Sequence, residues 1–144
     1  MKTIDKLVVG FDGSTQALAA LEWAAGLAAM TDAHVTVVHA VGLLEHAGLA
    51  GRRSPHEEVV WAAARKAGMD LRCLHWALVE GDPCSVLLRM ANAQNSVDLL
   101  VVGTRGSGEH SGSLLGSTSL EVVEHATVPV VVVPSSVPES EQQT

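Results

Sequence analysis

One stretch of the chain decides its fold, residues 97–133, with the sequence VDLLVVGTRGSGEHSGSLLGSTSLEVVEHATVPVVVV. Its first part, ending at Val102, is a short apolar run without helical spacing, which predicts a strand buried on both faces. A loop rich in glycine and serine follows, then a helical pattern at residues 118–126 and a valine-rich strand at residues 128–133. The order strand, glycine loop, helix, strand is typical of parallel α/β folds.

The loop after this strand is too small and too polar to bury itself. Its glycines lie at Gly103, Gly106, Gly108, Gly112 and Gly116, and Arg105 is its only strong cation. Glycine lets backbone N–H groups turn outward and lets a ligand approach closely, which a phosphate cradle requires. Thr118 and Glu121 have the spacing of a capping box, so we expect a helix to begin there with its dipole favouring an anion. The loop therefore predicts a phosphate site.

Two common phosphate loops are excluded. A P-loop needs a lysine after its last glycine, and the chain contains no lysine beyond Lys66. The dinucleotide fingerprint G-x-G-x-x-G is also missing, since Gly106 and Gly108 are followed by Glu109, His110 and Ser111. The chain is therefore neither a Walker ATPase nor a nicotinamide enzyme.

The glycine spacing resembles a known motif. Gly103, two residues, Gly106, nine residues and Gly116-Ser117 match G-2x-G-9x-G-S of nucleotide-binding universal stress proteins. Four further segments follow in the order of that family, namely LVVGFDGS, VVHAV, VEGDPCSVLLRMA and PVVVVP, so that the similarity covers roughly residues 4–134. The resemblance implies a single Rossmann-like domain with an open five-stranded parallel sheet, order 3-2-1-4-5, and helices on both faces.

The composition agrees with one such domain, and the net charge argues against two classes of partner. Hydrophobic residues make up 47% of the 144 residues but aromatics only 3%, which suits a core of valine, leucine and alanine. We expect the domain to span residues 1–134 and the polar tail, residues 135–144, to be disordered. A formal charge of -7 argues against nucleic acid and anionic membranes.

The cysteines and the N-terminus predict a cytoplasmic protein. Cys73 and Cys84 lack zinc-like spacing and are interpreted as reduced thiols. His75 lies two residues from Cys73, but two ligands at that spacing do not make a metal site. No apolar run is long enough for a signal peptide or a membrane span.

Apolar runs and helix-start signals predict five strands and four helices in alternation. The strands are expected at residues 4–9, 35–41, 71–79, 97–103 and 128–133. Helices are expected to begin at Ser14, at Ser54-Pro55, at Asp82-Pro83 and at Thr118, and to end near residues 32, 68, 96 and 126. Residues 42–53 form a loop that is either a lid or an ordinary connection.

The predicted site lies where the first and fourth strands end, because ligands of such sheets bind at the point where strand order switches. Asp12 follows the first strand directly, so it accepts hydrogen bonds from ribose hydroxyls, holds a metal-bound water, or only caps the first helix with Ser14. The resemblance implies that Ala40 lines an adenine slot, that the loop glycines hold ribose and phosphates, and that the following helix meets the phosphates. The complete predicted set is Gly10, Phe11, Asp12, Ala40, Val102, Gly103, Arg105, Gly106, Gly116, Ser117, Thr118 and Ser119.

The resemblance implies an ATP-binding stress protein whose nucleotide state sets its binding to an unknown partner protein. Mg²⁺ or Mn²⁺ is expected to arrive with the phosphates, without protein ligands that we can name. We expect no enzyme activity beyond very slow hydrolysis. The alternatives are a slow ATP hydrolase or nucleotidyl transferase, for which Arg105, Glu109 and His110 are the candidate groups, and an interaction protein that binds no nucleotide.

The valine run near the C-terminus predicts self-association. The resemblance places the strand at residues 128–133 at the edge of the sheet, and an uncovered apolar edge invites pairing with another chain. Pro129 and Pro134 bracket the four valines and limit the pairing to a short stretch. A homodimer through this strand is therefore expected.

Overall fold

Valine-rich runs alternate with alanine- and leucine-rich segments, and in the computed structural model the former are strands and the latter helices. The structure describes residues 3–42, 48, 54–104 and 115–135. Their regular elements, in chain order, are β1 (Lys6–Gly10), α1 (Thr15–Thr31), β2 (His34–Val41), α2 (Pro55–Ala67), β3 (Leu74–Glu80), α3 (Pro83–Met90), β4 (Leu99–Gly103), α4 (Ser117–His125) and β5 (Val130–Val133).

The five strands form one parallel sheet with the order β3-β2-β1-β4-β5. Gly10 lies opposite Val38 of β2, and Val9 lies opposite Val101 of β4, so β1 is the central strand. The strand order that the resemblance implied is confirmed. The chain turns in opposite directions from β1 and β4, which opens a crevice at the carboxyl end of the sheet.

The core has two layers, one on each face of the sheet. Successive side chains of a strand point to opposite faces, so the residues of β1 alternate between the two layers. Leu7 and Val9 pack under α1 and α2, and Val8 packs under α3 and α4. The alanines of α1 at positions 20, 24, 25 and 28 are buried and let this helix lie close to the strands. The first turn of α1 also lies close to Gly103 at the end of β4.

Three of the four expected helix starts are confirmed by their capping bonds. The Ser14 hydroxyl accepts a hydrogen bond from the backbone N–H of Ala17, and the Ser54 hydroxyl accepts one from His56. The Asp82 carboxylate accepts one from Ser85. Each side chain satisfies a donor that the first helical turn would otherwise leave unpaired.

The fourth helix start was wrong. The N-cap of α4 is Gly116, and no side-chain cap bond is present, so Thr118 lies inside the helix and the capping box with Glu121 does not form. β4 and β5 also begin later than expected, at Leu99 and Val130.

Two other boundaries differ because side chains compete for backbone groups. α3 ends at Met90 rather than near residue 96, since the Asn92 amide donates to the Arg89 carbonyl and the Asn95 amide to the Met90 carbonyl. β3 begins at Leu74 rather than residue 71, because the Asp70 carboxylate caps a short 3₁₀ turn at Leu71–Cys73.

Some expectations concern residues outside the described part of the chain. These are nearly all of the loop at residues 42–53 and, apart from Ser135, the tail at residues 135–144. Among the helices of the described residues, none is both long and apolar enough to cross a membrane.

Candidate functional site

The turn that leaves β1 forms one wall of the crevice. The Phe11 N–H donates to the Val38 carbonyl at 2.9 Å, which keeps the chain attached to β2 beyond the end of the strand. The half-buried Asp12 carboxylate accepts a hydrogen bond from the Ser14 N–H at 2.9 Å. Asp12 therefore supports the entry into α1, as one reading of the sequence proposed, and still lies at the mouth of the crevice.

The His56 ring packs against this turn, a contact that was not predicted from the sequence. A Cβ at Gly13, whose φ is 87°, would lie 2.9 Å from the His56 Nδ1 atom. The His56 ring also makes edge-on contacts with Phe11 and His39, with ring centres 5.9 and 4.9 Å apart. The only signal in the sequence was the position of His56 in the first turn of α2.

Gly103 is required by packing at the end of β4. A Cβ there would lie 2.5 Å from the backbone oxygen of Gln16 and 2.7 Å from its carbonyl carbon. Backbone atoms in the first turn of α1 cannot move aside as a flexible side chain can. The glycine therefore lets α1 and β4 meet at the crevice, and its place in the motif follows from this contact as well as from any ligand.

Two hydrogen bonds join β4 to α4 across the glycine loop. The buried Ser119 hydroxyl donates to the Gly103 carbonyl at 2.6 Å, and the Gly116 N–H donates to the Thr104 carbonyl at 2.7 Å. The Ser119 side chain thus holds the helix against the strand. Gly116 has φ of -69°, an ordinary extended conformation, so it does not need the left-handed region.

The N-terminus of α4 differs from those of the other described helices. Side-chain oxygens of Ser14, Ser54 and Asp82 occupy N-terminal donors of α1, α2 and α3, whereas α4 begins at a glycine without such a bond. Its first turn contains no acidic residue. An anion placed there would meet the N–H groups of the first helical turn and the positive end of the helix dipole.

The face of the crevice toward α3 and α4 is apolar and narrow. Ala40 and Val102 belong to the core layer on that side. A Cβ at Gly10 would lie 2.9 Å from a methyl group of Leu87, so α3 closes tightly over the end of β1. The small residue at position 10 therefore lets α3 pack against the end of β1.

Ten of the twelve predicted site residues are described, and these ten lie at the carboxyl end of the sheet or at the start of α4. Ser117 is exposed and Thr118 half-buried at the first turn of α4. The other two, Arg105 and Gly106, lie outside the described residues, as do Glu109 and His110.

The thiol nearest to this end of the sheet is kept neutral. Burial raises the pKa of Cys84, and a hydrogen bond and the charge of Glu121, with the charge of Asp82, raise it further. A protonated thiol is a poor nucleophile and a poor metal ligand. Cys84 is therefore a packed residue of α3, in agreement with its interpretation as a reduced thiol.

Comparisons with known proteins agree with this geometry. A universal stress protein of Mycolicibacterium smegmatis is 32% identical over 88% of this chain and 47% of its own length, and the chain spans about half the length of the first curated relatives that it matches. A universal stress protein solved in complex with cAMP is 28% identical, with a TM-score of 0.75 over 94% of this chain and 100% of that chain. An Archaeoglobus fulgidus universal stress protein solved with dAMP is 21% identical, with a TM-score of 0.63 over 90% and 97% of the two chains.

The family assignment rests on a match along nearly the whole domain. The sequence profile of the universal stress protein family matches residues 3–134, which include every strand and helix described above. The chain belongs to the universal stress protein family.

Proposed function

We propose that this chain is a cytoplasmic ATP-binding stress protein whose nucleotide state regulates its binding to a partner protein. One observation carries the proposal. The ends of β1 and β4 and the start of α4, which has no side-chain cap, meet at the switch point of the sheet, where ligands of such folds bind. Adenine nucleotides in two structurally similar family members, cAMP in one and dAMP in the other, support an adenine nucleotide as the ligand.

The nucleotide would occupy the crevice in three parts. The adenine would lie against Ala40 on the apolar side, and the ribose would lie near the Asp12 carboxylate. The phosphates would lie at the N-terminus of α4, near Gly116 and Ser117, with Arg105 and Gly106 approaching from the loop.

Charge implies that a divalent ion accompanies the phosphates. A triphosphate brings roughly four negative charges to a protein whose formal charge is already -7. Mg²⁺ or Mn²⁺ bound to the phosphates and to water would offset this repulsion with few protein ligands.

A cyclic nucleotide is the second candidate ligand. It is favoured by the relative solved with cAMP, which shares 28% of its sequence with this chain. A cyclic monophosphate carries only about one negative charge, so it would need no metal ion.

The test is to denature the purified protein and to identify the released nucleotide by chromatography and mass spectrometry. ATP in amounts close to one per chain is the expected result, and cAMP would favour the second candidate. An empty site that also fails to bind added MgATP or cAMP would contradict nucleotide binding and favour the interaction protein.

The proposal includes the absence of rapid catalysis. Phosphoryl transfer needs a group that positions the attacking water and cations that stabilise the transferring phosphoryl group. Phosphate release measured over hours with MgATP should be very slow. Turnover near about 10 per second, typical of enzymes, would instead show a hydrolase.

A homodimer through β5 is also part of the proposal. The four valines of β5 are half-buried, and the described residues pair this strand with β4 alone. A two-fold contact in which β5 meets its copy would cover both edges at once.

A further inference from the structure

Two histidines meet at the amino end of the sheet, far along the strands from the nucleotide crevice. His34 is the first residue of β2 and His75 is the second residue of β3, and both side chains are exposed. The His34 Nδ1 and His75 Nε2 atoms lie 3.0 Å apart, and the two ring planes are within 11° of parallel. The parallel register of β2 and β3 brings together residues that are 41 positions apart in the sequence.

The pair lies in an open groove of about 670 Å³ that is lined almost entirely by polar side chains. Oxygen donors on the groove wall come from Asp5, Thr36, Ser96 and Asp98. The Lys6 ammonium, which also lines the groove, is bound to the Asn95 carbonyl at 2.9 Å. A groove with two imidazoles and two carboxylates suits a cation better than an anion.

We propose that His34 and His75 form a binding site for a divalent transition-metal ion that prefers imidazole ligands, the class of Zn²⁺, Ni²⁺ and Cu²⁺. Two nitrogens that bind one tetrahedral zinc ion at about 2.0–2.1 Å are separated by about 3.3 Å, so the pair would have to open by only a few tenths of an ångström. One of the two nitrogens carries the proton of their hydrogen bond, and the tautomer decides which one it is. For metal binding the donating ring would change tautomer and carry this proton on its other nitrogen, and both exposed rings would turn until the two lone pairs point at a common position.

Two neighbouring acidic residues form other bonds, which limits how tightly the site can bind a metal ion. Asp98 is occupied, because its carboxylate accepts hydrogen bonds from the N–H groups of Asp5 and Lys6 at 2.8 and 3.0 Å. Asp70 is held by Arg72, whose guanidinium forms two bonds to its carboxylate, and this pairing keeps the pKa of Asp70 low. Among the described residues no cluster of three or more His, Cys, Asp or Glu side chains is placed to hold a metal. The protein therefore supplies two ligands and water the others, which gives an exchangeable site rather than a structural one.

The chemistry of the ligands separates this site from the nucleotide crevice. Imidazole nitrogen selects late first-row ions, whereas Mg²⁺ prefers oxygen and keeps most of its water. The histidine site should therefore not bind Mg²⁺.

The test is a calorimetric titration of the nucleotide-free protein with ZnCl₂, with MgCl₂ in a parallel titration. Zn²⁺ should bind at one site per chain, and His34→Gln or His75→Gln should weaken it at least about tenfold, because the second nitrogen no longer binds intramolecularly. His125→Gln is the matched control, since His125 is also exposed but lies on α4 away from the groove. It should leave Zn²⁺ affinity unchanged.

A second readout assigns the ligands directly. Zn²⁺ should shift the carbon-bound imidazole proton signals of His34 and His75 in NMR spectra and leave those of His125 in place. Circular dichroism confirms that each variant is folded. The proposal is overturned if wild type binds no Zn²⁺, if His34→Gln binds it as tightly as wild type, or if the two signals do not move while Zn²⁺ binds.

Discussion

The two proposed binding sites lie at opposite ends of the sheet and are built from different parts of the chain. At the carboxyl end the geometry depends on glycines and backbone groups, such as the Thr104 carbonyl and the Gly116 N–H. At the amino end it depends on exposed side chains, the imidazoles of His34 and His75. Backbone groups are placed by the fold, so a change at the carboxyl end affects stability or excludes a ligand. A substitution at the amino end should remove a metal-binding imidazole and leave the stability of the fold nearly unchanged.

The largest expected effect is a loss of stability from Gly103→Ala. The new Cβ would lie 2.5 Å from the Gln16 backbone oxygen, so α1 or β4 must move. We expect the free energy of unfolding to fall by about 3 kcal/mol, with a Tm lower by roughly 10 °C, measured by urea and thermal denaturation.

Gly26→Ala is the matched control for that substitution. A Cβ at Gly26 meets no atom within 4 Å, and alanine favours a helix interior over glycine by about 1 kcal/mol. It should raise stability slightly. Equal stability of Gly103→Ala and wild type would show that the contact between α1 and β4 is looser than described.

The next largest effect is a loss of nucleotide affinity in Gly116→Val. The backbone at Gly116 suits any residue but the position is buried, so circular dichroism is needed to confirm that the variant is folded before its affinity is compared. We expect MgATP affinity to fall at least about 100-fold, or about 2.8 kcal/mol, by calorimetry, with a smaller loss for Gly116→Ala. Zn²⁺ binding at the other end should not change. Wild-type MgATP affinity in folded Gly116→Val would contradict the phosphate site.

The edge strand β5 belongs to neither proposed binding site, and substitutions in it test the proposed homodimer. Val131→Lys or Val132→Lys should convert a dimer into monomers, because like charges would face each other across the two-fold axis. The valines are half-buried, so a lysine stem can lie along the edge without unfolding the chain. Light scattering at micromolar concentration measures the change. A wild-type protein that is itself a stable monomer would refute the proposed dimer.

The smallest expected effect is a difference in stability between two serine-to-alanine substitutions at the start of α4, one at a buried serine and one at an exposed serine. Ser119→Ala removes the buried hydrogen bond to the Gly103 carbonyl and should cost about 1–2 kcal/mol in urea unfolding. Ser117→Ala, at an exposed position two residues earlier, should change stability by no more than about 0.5 kcal/mol. Equal costs would mean that the Ser119 bond does not hold α4 against β4.

The sequence predicted those features that depend on local chemistry. Serine or aspartate followed by proline marked the starts of α2 and α3, because capping and the fixed φ of proline act within one turn. The strand order was available only through the resemblance to a family, since periodicity does not say which strands are neighbours.

The features that were missed depend on contacts between distant segments. The contact of Gly103 with Gln16 arises only when α1 packs on β4, and that of His34 with His75 only when β2 and β3 are in register. The capping box failed for the opposite reason, since Thr118 and Glu121 have the right spacing but Gly116 is held to Thr104 and begins the helix earlier.

The bond between the Gly116 N–H and the Thr104 carbonyl also has an evolutionary consequence. It brings the Thr104 and Gly116 backbones together, so the chain leaves the end of the sheet and returns to it at one point. Doubling the length of a flexible closed loop costs only about 0.6 kcal/mol. Lengthening the chain between Thr104 and Gly116 should therefore cost the sheet little through loop closure, so ligand preference can change in this lineage without a new fold.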